Sequence, residues 1–131
     1  MKPAWCDRAL FKSPIFYTVC TSEAAFRKEM KRLEIPQSDI PQFISEGAHA
    51  TAHHFKESDG VGASTIVCIR PAPEKDQIVV AGLLVHEAVH IWQRIRESIG
   101  EDSPSSEFEA YSVQWISQQL MWEYCRQTKI S

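Results

Sequence analysis

The chain has 131 residues and a mass of 14.9 kDa, a size that favours a single domain over residues 1–131. Hydrophobic residues make up 44% and charged residues 24%, a composition that disfavours disordered, collagen-like and coiled-coil classes. Fourteen Lys and Arg against seventeen Asp and Glu give a net charge of −3, so nucleic acid is not an expected partner.

The N-terminal region and the cysteines predict a cytoplasmic protein. No apolar core of a secretory signal follows the charged residues at positions 2, 7 and 8. The longest mostly apolar run, Ile78 to Val85, is much shorter than the ~20 residues of a membrane span, so no membrane association is expected. Four scattered cysteines without a C-x-x-C pair are predicted to be reduced thiols.

The first predicted elements are a strand and a helix. Ile15 to Cys20 is rich in β-branched and aromatic residues and predicts a strand. Ser22 can then cap a helix that runs from Glu23 to about Glu34 and carries an apolar stripe. Pro36 ends this helix, and a loop is predicted up to Gly47.

A hairpin is predicted next. Residues 48–55 and 62–69 have strand character, and Asp59-Gly60 between them is a common hairpin turn signal. With the first strand they predict a small antiparallel sheet.

The C-terminal half is predicted to contain two helices. Asp76 can cap a helix that runs to about Ile99, with Gly100 as its C-terminal stop. Almost every face of this helix is apolar between Ile78 and Ile95, which predicts a helix surrounded by protein. A last helix is predicted from about Ser105 to Arg126.

The first of these two helices contains the pattern H-E-x-x-H, as His86-Glu87-Ala88-Val89-His90. Helical residues i and i+4 project from one face about 6 Å apart along the axis, so both imidazoles can bind one ion. Zinc is expected because imidazole nitrogen is a preferred ligand, and catalytic zinc sites keep one position for water. In sites of this pattern the glutamate, here Glu87, takes a proton from that water.

This motif and the segment Glu107-Phe108-Glu109-Ala110-Tyr111 resemble the gluzincin branch of zinc metallopeptidases over about residues 76 to 126. Small zincin-like proteins encoded by phages and prophages are the nearest resemblance. It implies a minimal zincin-like α+β fold, in which a small antiparallel sheet packs on the motif helix and a C-terminal helix supplies a ligand. It further implies hydrolysis of a peptide bond in a peptide or protein substrate, with Glu87 as the general base and with Zn²⁺ held by His86, His90 and Glu107.

Glu109 is the alternative third ligand. On a helical wheel Glu109 shares the apolar arc of the last helix, whereas Glu107 lies nearly opposite. If Ser106 caps the helix, Glu109 also fits an S-x-x-E capping box. Tyr111 stands where related families often have Asp or Asn, so the resemblance does not identify the group that orients a zinc-bound histidine.

Other residues have candidate roles beside structural ones. The strand around His53 and His54 is a candidate edge for pairing with an extended substrate. Stabilisation of an oxyanion is a candidate role for Tyr17, Tyr111 and Tyr124. An aromatic arc on the last helix is a candidate homodimer interface, formed by Phe108, Trp115 and Trp122.

A second hypothesis is a non-catalytic, zinc-stabilised phage accessory or assembly protein. The chain is short and has no obvious second lobe for substrate binding. The presence of Glu87 favours the enzyme, because a purely structural zinc site does not need a base.

Overall fold

The computed structural model describes residues 1–6, 13–57, 62–71 and 76–129, and its architecture is α+β. Every predicted helix and strand is present with ends within a few residues of those predicted, and the predicted turn at residues 58–60 lies outside the described residues. The elements are β1 (Phe16–Cys20), α1 (Glu23–Arg32), a short 3-10 turn (Gln37–Asp39), β2 (Ala50–Phe55), β3 (Ser64–Ile69), α2 (Gln77–Ser98) and α3 (Ser106–Thr128).

The three strands form a mixed sheet in the order β1-β3-β2. β2 and β3 are antiparallel as predicted, but β1 and β3 are parallel, so the prediction of an all-antiparallel sheet is wrong. The chain passes through α1 and β2 between the two parallel strands, and such a crossover is what parallel pairing requires. All six residues of β3 are buried, as is typical of a strand covered on both faces.

Helices cover both faces of the sheet. Alternate residues of the strands, such as Val67 and Ile69, pack with α2 and α3 in one core cluster. The intervening residues, such as Ile66 and Cys68, pack with α1 in a second cluster. β2 lies at an edge of the sheet, and its residues Ala50 and Ala52 face the α2 side.

One side of α2 is exposed, which corrects the prediction of a helix surrounded by protein. The sheet and α3 cover only part of its circumference, so Ile78 is 80% exposed and Val79 and Val85 are exposed as well. Among the described helices, α2 alone is long and apolar enough to cross a membrane, a criterion that core helices of globular domains also meet. Its buried residues form a stripe of Val80, Leu84, Glu87, Ala88, Ile91, Trp92 and Ile95.

Local signals set the ends of the long helices. The Asp76 carboxylate accepts a hydrogen bond from the Ile78 N–H at 2.8 Å, and Gly100 follows α2 with a φ of +76°. Ser105 caps α3 by accepting from the Phe108 N–H at 3.3 Å. The predicted cap at Ser106 is therefore wrong by one residue, because the hydroxyl of the preceding serine, Ser105, forms the cap.

Candidate metal centre

His86 and His90 point their outer ring nitrogens at each other from the exposed side of α2. The two Nε2 atoms are 3.2 Å apart. Two nitrogens about 2.05 Å from one zinc ion subtend an angle of about 103° at this separation, close to the tetrahedral value. The pair thus has the spacing at which both imidazoles could ligate one ion.

A hydrogen bond to Gln93 orients the second imidazole. His90 Nδ1 lies 3.1 Å from the Gln93 side-chain oxygen, one turn further along α2. An amide oxygen only accepts, so Nδ1 carries the proton and Nε2 presents its lone pair towards His86. A histidine that donates its other N–H to a protein oxygen is the usual arrangement in metal sites. Sequence reasoning missed this role, although the i, i+3 spacing could have indicated it.

Glu87 lies between the two histidines in the chain but on the inner side of the helix. Its residue is only 7% exposed, whereas His86 and His90 are exposed. Burial raises the pKa of Glu87, and the neighbouring charges of His86 and His90 act in the opposite direction. A carboxylate with a raised pKa is better suited to accept a proton at neutral pH than an ordinary surface glutamate.

The two candidate third ligands occupy different positions on α3. The Glu109 carboxylate accepts a hydrogen bond from Trp92 Nε1 at 2.9 Å, so it joins α3 to α2 and does not form the predicted capping box. Glu107 is exposed in the first turn of α3. Within the described part of the chain, no three His, Cys, Asp or Glu side chains form a group that could hold a metal ion, so neither glutamate joins the histidine pair.

The candidate tyrosines and the aromatic residues of α3 differ in their exposure. Tyr17 and Tyr124 are buried in the core, so neither can meet a substrate directly, and Tyr111 is 59% exposed on α3. On the predicted aromatic arc, Phe108 packs edge-on against Trp92, whereas Trp122 is 60% exposed. The homodimer stays a prediction.

A second polar network lies where α2 meets the end of the β2–β3 pair at which the chain connects the two strands. Arg94 donates to the backbone oxygens of Phe55 and Ser64 and to the Thr65 hydroxyl. The Thr65 hydroxyl also contacts Nδ1 of His54 at 2.8 Å, and these two residues are directly opposite each other in the sheet. Sequence reasoning missed this network because its members come from three elements and no local spacing connects them.

Comparisons of this chain with models of protein families, with curated proteins and with solved structures found no match.

Proposed function

We propose that this protein is a zinc-dependent peptidase in which His86, His90 and Glu107 hold the ion and Glu87 is the general base. The observation that carries the proposal is the Nε2 to Nε2 distance of 3.2 Å between two exposed imidazoles on one helical face. The Gln93 hydrogen bond supports it, because it leaves the lone pair of His90 Nε2 directed at the same point.

Each residue has one task in the proposed reaction. A zinc ion held by His86, His90 and Glu107 would supply a Lewis acid for the scissile carbonyl and for the attacking water. Glu87 accepts a proton from water and delivers it to the leaving amine. Its backbone is fixed by the buried stripe of α2, which includes Leu84 and Ile91 on the adjacent turns.

Glu107 is preferred over Glu109 as the third ligand because the Glu109 carboxylate is already engaged by Trp92. Glu107 makes no hydrogen bond or ion pair with another described residue, so binding a metal would break no such contact within that part of the chain. Both are carboxylates in the first turn of α3, so replacing each separately gives a matched comparison.

The proposal is tested by metal analysis and by turnover. Protein purified without added metal should contain close to one zinc per chain, and His86→Ala should lose it. A pooled library of internally quenched peptides should be cleaved by the wild type, while Glu87→Gln should retain zinc and lose nearly all cleavage. Cleavage by Glu87→Gln at the wild-type rate would refute the assigned base, and zinc-free wild-type protein would refute the metal site.

A zinc-stabilised domain without catalysis is the second candidate. It is favoured because no third His, Cys, Asp or Glu of the described residues lies with the histidine pair, and two ligands alone do not complete a catalytic site. It predicts that zinc raises the melting temperature while neither the wild type nor Glu87→Gln cleaves any peptide in the library. Peptide cleavage that depends on Glu87 would exclude it.

A further inference from the structure

The hydrogen-bond network at the end of the β2–β3 pair fixes where the proton of His54 lies. Arg94 Nη1 donates to Thr65 Oγ1 at 2.9 Å, because a guanidinium has only donors. Thr65 is fully buried, so its own hydroxyl hydrogen needs an acceptor within the protein. The nitrogen of His54 at 2.8 Å, Nδ1, is that acceptor. The neutral ring of His54 must then carry its hydrogen on Nε2.

This N–H group belongs to the same side of the molecule as the histidine pair. His54 is exposed at the edge strand β2, and its register neighbour Thr65 is held by Arg94 of α2. Arg94 follows His90 by one helical turn, so the two side chains project from the same side of α2. Partial burial, followed by the charges of Arg94 and His90, lowers the pKa of His54, a direction that favours the neutral ring.

We propose that His54 is a further catalytic residue, which donates its Nε2–H to the substrate carbonyl oxygen as that oxygen becomes an oxyanion. Thr65 and Arg94 are positioning residues, since they act only by fixing the tautomer and the ring of His54. This inference rests on the proposed peptidase function. No proton leaves His54 in this role: the hydrogen bond strengthens as negative charge develops and weakens when the carbonyl re-forms.

The chain offers no equivalent donor among the tyrosines considered above. Tyr17 and Tyr124 are in the core, and Tyr111 projects from α3. His53, the neighbour of His54, faces the opposite side of the sheet, where its Nε2 lies 2.8 Å from the Phe43 carbonyl oxygen and its ring packs on Phe26. The alternation of β2 thus assigns one histidine to the α1 core and the other to the proposed site.

Steady-state kinetics on zinc-loaded protein test the role. His54→Ala should lower kcat by about 10² to 10³-fold, the usual loss for one oxyanion donor, with KM and zinc content unchanged. His49→Ala is the matched control, because His49 is an exposed histidine just before β2. This variant should cleave peptide at the wild-type rate. A peptide phosphinate, whose anionic oxygen resembles the oxyanion, should bind His54→Ala more weakly by a similar factor. If His54→Ala cleaves within threefold of the wild type, the proposal is overturned.

The tautomer is tested without catalysis. Nitrogen NMR of the histidine rings in zinc-free protein should show His54 protonated at Nε2, and Thr65→Val should abolish this preference. Protonation at Nδ1 in the wild type would overturn the proposal. If the wild type cleaves no peptide, the peptidase function fails and the catalytic role of His54 falls with it. If the wild type cleaves peptide and His54→Ala cleaves it as fast, the proposed role of His54 fails while the peptidase function stands.

Discussion

Replacing Glu107 and Glu109 separately by alanine should have different effects: Glu109→Ala should lower the stability of the fold, and Glu107→Ala should lower the affinity for zinc. Glu109→Ala removes the acceptor of the Trp92 indole N–H, a bond of 2.9 Å from a residue that is only 1% exposed. Leaving a buried donor unpaired costs about 1–3 kcal/mol, and the exposed position of Glu109 allows water to replace part of the bond. We therefore expect a loss of about 1 kcal/mol, or a melting temperature about 4 °C lower.

Glu107→Ala should have the opposite profile. The exposed Glu107 side chain makes no hydrogen bond or ion pair within the described residues, so the free energy of unfolding without metal should change by less than about 0.5 kcal/mol. Zinc affinity should fall at least about 100-fold, because loss of a direct ligand costs more than loss of the outer partners that orient ligands.

Urea denaturation of the metal-free proteins and zinc titration against a chromogenic chelator measure the two effects. At a zinc concentration of 100 times the dissociation constant, the wild type should gain about 2.7 kcal/mol of stability, and Glu109→Ala should gain nearly as much. Zinc loss in Glu109→Ala with normal binding in Glu107→Ala would refute the choice of ligand. Normal zinc binding in both variants would refute a ligand from the first turn of α3.

Two further predictions concern the fold. Burial tends to raise the pKa of the Glu123 carboxyl, but hydrogen bonds from Arg126, the Ala4 N–H and Gln127 outweigh it and hold the pKa below its usual value. A lowered pKa stabilises the fold above the unfolded value of about 4.3 and is lost as the pH falls through the folded value, so acid titration by circular dichroism should destabilise the wild type more steeply than Glu123→Gln. Parallel acid profiles would contradict this reasoning. The Ser112 hydroxyl is fully buried without a hydrogen-bond partner among the described residues, so Ser112→Ala should raise the free energy of urea unfolding by about 1 kcal/mol, and a decrease would show that the hydroxyl is satisfied.

The positions of the helices could be predicted because their ends depend on local chemistry. Asp76 caps α2 as predicted, since a cap needs only a short polar side chain before the first turn. The direction of β1 relative to β3 could not be predicted from local chemistry, because it depends on how the connection through α1 crosses the sheet. One available signal was the apolar run at residues 66–69 of β3, in which apolar and polar residues do not alternate, as in a strand buried on both faces.

In the candidate site, too, only the features that depend on local spacing could be predicted from the sequence. The convergence of His86 and His90 follows from the i, i+4 spacing of one helix, and the structure brings the two rings together. The direction of Glu107 and Glu109 depends on where α3 begins, and each residue of shift turns a side chain by 100° about the helix axis. Local signals leave Ser105 and Ser106 almost equivalent as caps, so they could not determine which glutamate faces α2.

Two sets of contacts connect the elements that form the proposed site, one made by Arg94 and one by Trp92. Arg94 joins α2 to the ends of β2 and β3 through three hydrogen bonds, which connect the helix of the histidine pair to the strand that carries His54. α3 is connected to α2 at this end by the contacts of Trp92 with Glu109 and Phe108. An ion held by His86, His90 and Glu107 would add a second connection between α2 and α3. Global stabilisation by zinc should slow amide exchange throughout the core, and a further slowing through local rigidification should appear in the first turns of α3.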